Sequence, residues 1–404
     1  MTAPPTPARQ RVPGVIWVLV SAAFVIALGY GVVAPALPEF ARSFNVSITA
    51  ATMVVSAFAL MRLVFAPATG PLVKRLGERP VYLAGLLIVA ASTFACAFAQ
   101  GYWQLLVLRA LGGVGSVMFT VSAMSLIIRI SPSAIRGRVS GVYSSSFVLG
   151  SIVGPLVGGG VVGLGLRAPF VVYAVALLVA TAVVWVALRR STLVGDVTVH
   201  AAGPSLRQAW ADPAYRAALV TAVAYGWLFA LRTSLLPLFF SDPSALGSDV
   251  RMAGFALAAY AAGDVLVMIP AGRASDRYGR RPFLIAGMLV LGASTAALAF
   301  THTVAAALIV TAVAGMGTGL IAPVIQATVA DVLYGGRGGT ALSTYQMAQD
   351  GGTIAGPVIA GFIADRYGFG AAFWLTAVLA GIVAVLWLFT RETAGRDEEP
   401  VAPA

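Results

Sequence analysis

Five ionisable side chains interrupt otherwise apolar stretches of this 404-residue chain: Arg62, Arg109, Arg232, Asp264 and Asp350. A charge in the middle of a lipid-embedded helix costs about 2.5 to 3.5 kcal/mol, so each is either a functional candidate or a neutralised structural contact. A desolvated acid without a counter-ion can exchange protons near neutral pH. Asp264, with no basic partner evident from the sequence, is the leading proton carrier, and Asp350, Arg62 and Arg109 complete the proton-coupling candidates. Other chemistries have no residues to run on. His200 and His302 are far apart and Cys96 is the single cysteine, so the sequence predicts no metal centre, no intrachain disulfide and no Ser/His/Asp set. A phosphate-cradling Gly-x4-Gly-Lys-Ser/Thr loop is also missing. The expectation is a protein that is not an enzyme, needs no cofactor and is not driven by ATP.

The elements that must position these charges follow from composition. Hydrophobic residues make up 59% of the chain and charged ones 10%, and the mean hydropathy is +0.91. Apolar runs long enough to cross about 30 Å of hydrocarbon fall near residues 14–37, 48–70, 80–99, 102–128, 138–162, 168–188, 214–240, 251–271, 282–300, 304–330, 340–364 and 370–390. The first run extends into Pro35 and Pro38 with further spans behind it, which reads as an uncleaved helix rather than a secretory signal. The segments before Gln10 and after Arg396 read as disordered tails.

The net charge of +11 is explained by topology rather than by nucleic acid. Only Arg42, Arg167, Arg251 and Arg366 fall in odd-numbered connections, and Arg62, Arg109 and Arg232 lie inside spans. The remaining basic residues sit at the N-terminus, in even-numbered connections or at the C-terminus, which places both termini in the cytoplasm.

Shifting the chain by 202 residues lays Gly70 to Pro80 over Gly272 to Pro282. With no gap, the same shift superposes Pro35 on Pro237, Gly113 on Gly315, Gly115 on Gly317, Tyr143 on Tyr345, and Gly154-Pro155 on Gly356-Pro357. Glycine and proline constrain the backbone itself, so this agreement identifies a duplicated six-helix unit. Expected divisions are an N-terminal bundle over 1–190, a cytoplasmic linker over 191–213 and a C-terminal bundle over 214–404. Two such halves around a central cavity suit alternating access.

Several motifs recur within this frame. Leu28-Gly29 precedes Pro35-Ala36-Leu37-Pro38 by five residues; Arg109 opens Arg-Ala-Leu-Gly-Gly-Val-Gly in the fourth run; Gly150, Gly154, Pro155 and Gly158 fall on one side-chain-free stripe in the fifth. The loops carry Gly70, Lys74, Arg75 and Gly77 in one copy and Gly272, Asp276, Arg277 and Gly279 in the other. There glycine is expected to end a helix, with arginines anchoring the next turn. The stripe could serve tight packing alone or set which conformations are favoured, and the loops could anchor topology or gate.

These motifs, in this order, resemble the major facilitator superfamily, and within it the twelve-helix drug:proton antiporters, over essentially the whole chain. The resemblance implies an all-α integral membrane fold: twelve transmembrane helices in two pseudo-symmetric six-helix bundles. It implies that spans one, four, seven and ten surround the cavity, so that Tyr30, Arg109, Met118, Trp227, Arg232 and Gln326 line it. It also places span two against span eleven, where Arg62 and Asp350 can pair when the cytoplasmic side is closed. Lys74 stands where the family pattern has an acid, so either that charge pair is swapped or this half closes by packing.

The function implied is proton-coupled export of amphipathic small molecules or drugs from a multi-pass protein of the cell membrane. Its partners would be the substrate, protons and the bilayer, with no nucleic acid, and the protein would act as a monomer. The alternatives are a metabolite or lipid carrier of the same fold and, in a different class, a non-transporting membrane sensor or membrane enzyme.

Overall fold

The computed structural model describes residues 14–130, 136–189, 206–333 and 339–393. The described residues are helical and contain no strand. In chain order the helices are α1 (Gly14–Val33), α2 (Leu37–Arg42), α3 (Ile48–Leu76), α4 (Glu78–Ala97), α5 (Tyr102–Ile130), α6 (Arg136–Val162), α7 (Ala168–Arg189), α8 (Leu206–Ala211), α9 (Pro213–Ser241), α10 (Val250–Tyr278), α11 (Arg281–Leu298), α12 (Val304–Val332) and α13 (Gly339–Leu388). Eleven of them are long and apolar enough to cross a membrane. The 50 residues of α13 contain a break at Gly368, where φ is +83° and ψ 165°, a conformation that glycine adopts without strain. Two crossings are thereby joined with almost no loop, and the total is the expected twelve. Both expected tails, and most of the expected linker, lie outside the described residues; its last part forms α8.

The helices begin where side chains satisfy free amides. Ser47 accepts from the Ala50 amide at 3.1 Å, Asp249 from Arg251 at 2.8 Å and Thr303 from Ala306 at 3.3 Å. They end later than expected in one respect. Neither Gly70 nor Gly272 terminates its helix: α3 and α10 continue through both and stop at Gly77 and Gly279, whose φ values are +85° and +95°. Only the second glycine of each loop motif needs the left-handed region. An added Cβ at Gly70 would meet nothing within 4 Å, and one at Gly272 only Pro323 at 3.7 Å.

In the first half α1 packs on α6 and α7, α4 on α5 and α7, and α3 on α5; in the second α9 packs on α13, α10 on α12, and α11 on α12 and α13. The glycine stripe of α6 faces α1: a Cβ at Gly150 would lie 2.7 Å from Ala27 Cβ, at Gly154 2.8 Å from Gly31 Cα, and at Gly158 2.8 Å from Val32 Cα. Its role in this conformation is close packing inside one half. Large apolar side chains such as Trp17, Trp103, Leu164 and Phe389 are exposed around the bundle, as lipid-facing surfaces require.

The halves touch along two seams, α3 with α13 and α6 with α10. At the first, Thr52 Oγ1 donates to the Pro357 carbonyl at 2.7 Å and Ser56 Oγ to that of Ile354 at 2.8 Å. The carboxylate of Asp365 accepts from the amides of Ile48 (2.8 Å) and Thr49 (2.7 Å) and from the Thr49 hydroxyl. At the second, a Cβ on Gly254 would sit 2.8 Å from both the Gly159 nitrogen and the Pro155 carbonyl oxygen. Both seams lie towards the end of the bundle that carries α2. Further along α3 and α13, away from that end, Leu60, Val64, Phe65 and Met347 are exposed. The protein is thus closed at the α2 end and parted at the other.

Candidate transport cavity

A cavity of about 310 Å³ lies between the halves. Helix periodicity selects its wall. From α1 come Ala27, Tyr30, Gly31 and Ala34; from α6, Phe147, Ser151 and Pro155; from α9, Tyr225, Phe229, Arg232 and Thr233; from α10, Leu257, Asp264 and Met268. Spacings of three, four, seven and eight residues hold each set on one helical face. The wall is mostly apolar and aromatic, with a cation and an anion set into it, a composition that suits an amphipathic ligand.

Arg232 is held by aromatic faces, its Cζ 4.6 Å from the ring centre of Tyr260 and 4.8 Å from that of Phe229. Tyr260 is itself fixed by a hydrogen bond with Thr318. The Nε of Arg232 and Oδ1 of Asp264 are both buried without a hydrogen-bond partner. The two side chains do not form an ion pair, yet they act on one another electrostatically. Asp264 therefore has a basic neighbour, contrary to the expectation from sequence. That neighbour comes from the adjacent helix, and helix adjacency is a tertiary fact.

Arg109 is 5% exposed and sits in a small side pocket with Tyr30, Phe58 and Thr233. Its Cζ is 4.4 Å from the Phe58 ring centre and 6.0 Å from that of Tyr30, and its buried Nε has no partner. Tyr30, Ala34 and Thr233 line both spaces, so they form the partition between Arg109 and the cavity.

Besides Arg109, three expected lining residues lie outside the cavity wall. Met118 packs towards α4, its Cβ 3.0 Å from where a Cβ on Gly85 would be. Trp227 is buried and donates through Nε1 to Thr376 Oγ1 at 3.1 Å, fastening α9 to α13. Gln326 is exposed and is not in the cavity wall. Counting back from Arg232 in helical steps reaches Phe229 and Tyr225 and skips Trp227; that period was readable in the sequence. The contributions of α6 and α10 were not, because they depend on which helices meet between the halves.

Arg62 and Asp350 feel each other's charge without forming an ion pair, and the Nε of Arg62 is buried and unbonded. Because α3 continues to Leu76, Arg62 lies some 21 Å from its end at ~1.5 Å per residue. Both residues lie beyond the α3–α13 seam, towards the parted end.

At the closed end, Ser241 donates to the carboxylate of Glu39, while Arg42 reaches Asp242 at 3.5 Å and the Val46 carbonyl at 2.6 Å. Burial pushes the Glu39 carboxyl above the ordinary glutamate range, against the opposing pull of the Ser241 hydrogen bond and the Arg42 charge.

The loop motifs show a charge reversal. Arg129 donates to Glu78 at 2.7 Å in the first half; at the repeat positions of the second, Arg280 donates to Asp331 at 3.2 Å. Arg280 also pairs with Asp276, the counterpart of Lys74. Lys74 is exposed and makes no ion pair among the described residues.

A two-half, twelve-crossing helical bundle around a central cavity is an architecture found in membrane transporters. A sequence model of the Major Facilitator Superfamily matches residues 19–245 and 243–404, and the chain belongs to that superfamily. It is 28% identical over 404 residues to the uncharacterized MFS-type transporter YceJ of Bacillus subtilis strain 168, covering 95% of this chain and 97% of that protein. It is 32% identical over 155 residues to the quinolone resistance protein NorA of Staphylococcus aureus, a match spanning 38% of this chain and 40% of NorA. Among solved structures, the fold is shared with a bacterial homologue of the human lysosomal transporter Spinster, in an inward-facing and unoccupied conformation. The TM-score there is 0.80 at 17% identity, over 92% of this chain and 95% of that one.

Proposed function

We propose that this protein is a proton-coupled exporter of amphipathic small molecules that works by alternating access. The observation carrying the proposal is the cavity itself, an aromatic wall holding Arg232 and Asp264 with hydrogen-bonding capacity unused. The partial likeness to NorA, a quinolone resistance protein, supports drug-like substrates. In this reading residues 1–190 and 214–404 move as the two halves, 191–213 links them, and the protein acts as a monomer in the cell membrane. The bias of basic residues supports a reading with both termini, and with them the parted end, in the cytoplasm.

Exchange then follows from competition. A proton entering from outside occupies Asp264 and substrate leaves; release of the proton inward readies the cavity for the next load. Arg62 and Asp350 come together as an ion pair when the cytoplasmic end closes, and Arg109, behind Tyr30, adds positive potential to the site. Linkage requires that substrate binding expel the proton.

The test is efflux of a fluorescent amphiphile from proteoliposomes under an imposed pH gradient, with Asp264→Asn and Asp350→Asn beside wild type. Wild type should concentrate substrate against its gradient, and Asp264→Asn should lose that ability. Transport indifferent to the pH gradient would replace this reading with a uniporter or a carrier coupled to another ion.

A further inference from the structure

The cavity contains opposite charges that do not neutralise each other by contact. Arg232 is held against Tyr260 and Phe229 and makes no hydrogen bond to Asp264 through its Nε. Asp264 lies one helical turn along α10 from Tyr260, with Oδ1 buried and unbonded. The titratable and charged groups around Asp264 are few. Arg232 and Tyr225 face it from α9, and Tyr260 lies on its own helix. Tyr30 lines the cavity from α1, with Arg109 behind it; α6 and α12 contribute no ionisable side chain to the wall. With the tyrosines neutral, the proton balance of the site is that of Asp264 set against Arg232.

We infer that Arg232 and Asp264 form one dipolar recognition site, for amphiphiles carrying an acidic group for Arg232 and a basic group for Asp264, and that the charge a ligand brings sets the direction of proton movement on binding. This rests on the cavity being the substrate site. A ligand cation competes with the proton for the oxygens of Asp264, so the proton leaves. A ligand anion on Arg232 takes up the cation that balances Asp264, so a proton is drawn in. A ligand with both groups expels the proton at one end while its acid group engages Arg232 at the other, and exchange is preserved. By linkage, cations bind better as pH rises and anions better as it falls.

Tetraphenylphosphonium and tetraphenylborate have the same shape and opposite charge, which makes them the probe pair. Each is titrated into the purified full-length protein in weak buffer, with a pH-indicator dye reading protons and calorimetry reading binding. The phosphonium should release up to one proton per site and the borate should take protons up. In Asp264→Asn both proton signals should vanish while the borate still binds; Asp264→Glu should retain them. Arg232→Gln should weaken the borate about tenfold, equivalent to about 1.4 kcal/mol, while the phosphonium still releases protons, at least as many as from wild type. Proton movement of the same sign for both probes, signals that persist in Asp264→Asn, or failure of both probes to bind wild type would overturn the inference. No flux is measured, so the outcome is separable from that of the export assay. A protein that exports against its gradient while both ions move protons the same way keeps its transport function and loses this site.

Discussion

Across one seam α6 meets α10 through Gly159 and Gly254; across the other α13 meets α3 through Gly361 and Thr52, the same positions shifted by the repeat. The first is closed by shape, backbone against backbone with no side chain between. The second is closed by polar contacts: Thr52 and Ser56 onto carbonyls, and Asp365 across the first amides of α3. The counterpart of Asp365 in the first half is Gly163, which lies against the guanidinium of Arg251, its Cβ position 2.6 Å from Nη2. The loops at the opposite end differ in the same spirit, with Glu78–Arg129 in one copy and Arg280–Asp331 in the other. Duplication preserved where helices meet and let the chemistry at each meeting diverge, because backbone placement constrains a contact more than the identity of the atoms that fill it.

The largest expected effect comes from breaking the shape-closed seam. Gly254→Leu would drive a side chain into the backbone at Gly159 and Pro155, overpacking of about 1–3 kcal/mol or more. The closed α2 end should open. A Thr233→Cys reporter in a Cys96→Ala background should then react with an impermeant thiol reagent from the α2 side, where wild type stays protected. If protection is unchanged, glycine contact does not hold that seam.

Arg129→Ala should cost ~1–3 kcal/mol, since Glu78 is left partly buried without the Nη1 that donates to both its oxygens. The double reversal Glu78→Arg with Arg129→Asp should recover most of that loss by reproducing the second half's arrangement. Thermal unfolding in detergent reads both, and a double variant no better than the single one would show that the two loops are not interchangeable. Asp365→Asn should cost less, about 1 kcal/mol, the scale of a helix N-cap, because the side chain is exposed. It should raise thiol reactivity at the α2 side severalfold rather than abolish protection.

The smallest effect is that of pH on Glu39. Its folded-state pKa is raised, so the contribution of the protonated form is fully present below the unfolded pKa and is lost as pH rises through the folded value. Glu39→Gln should therefore gain thermal stability relative to wild type as pH is raised from about 4 to 7. A constant difference across that range would show that the Ser241 and Arg42 contacts fully offset burial.

Twelve crossings, the duplicated six-helix unit and the charges within spans were legible in the sequence, because hydropathy, glycine and proline spacing and the cost of buried charge act locally along the chain. So were Tyr30, Arg109, Arg232 and Asp264 as residues of interest. The joining of the last two crossings at Gly368 was visible only as a short gap, Asp365 to Phe369, between two apolar runs. The neighbours of each charge could not be read. Arg232 stands beside Asp264 because α9 and α10 are adjacent, Asp365 meets α3 from 316 residues away, and Trp227 turns from the cavity to Thr376. These are decided by how helices rotate and pack, and rotation is set by contacts between segments whose separation in sequence carries no record of their distance in space.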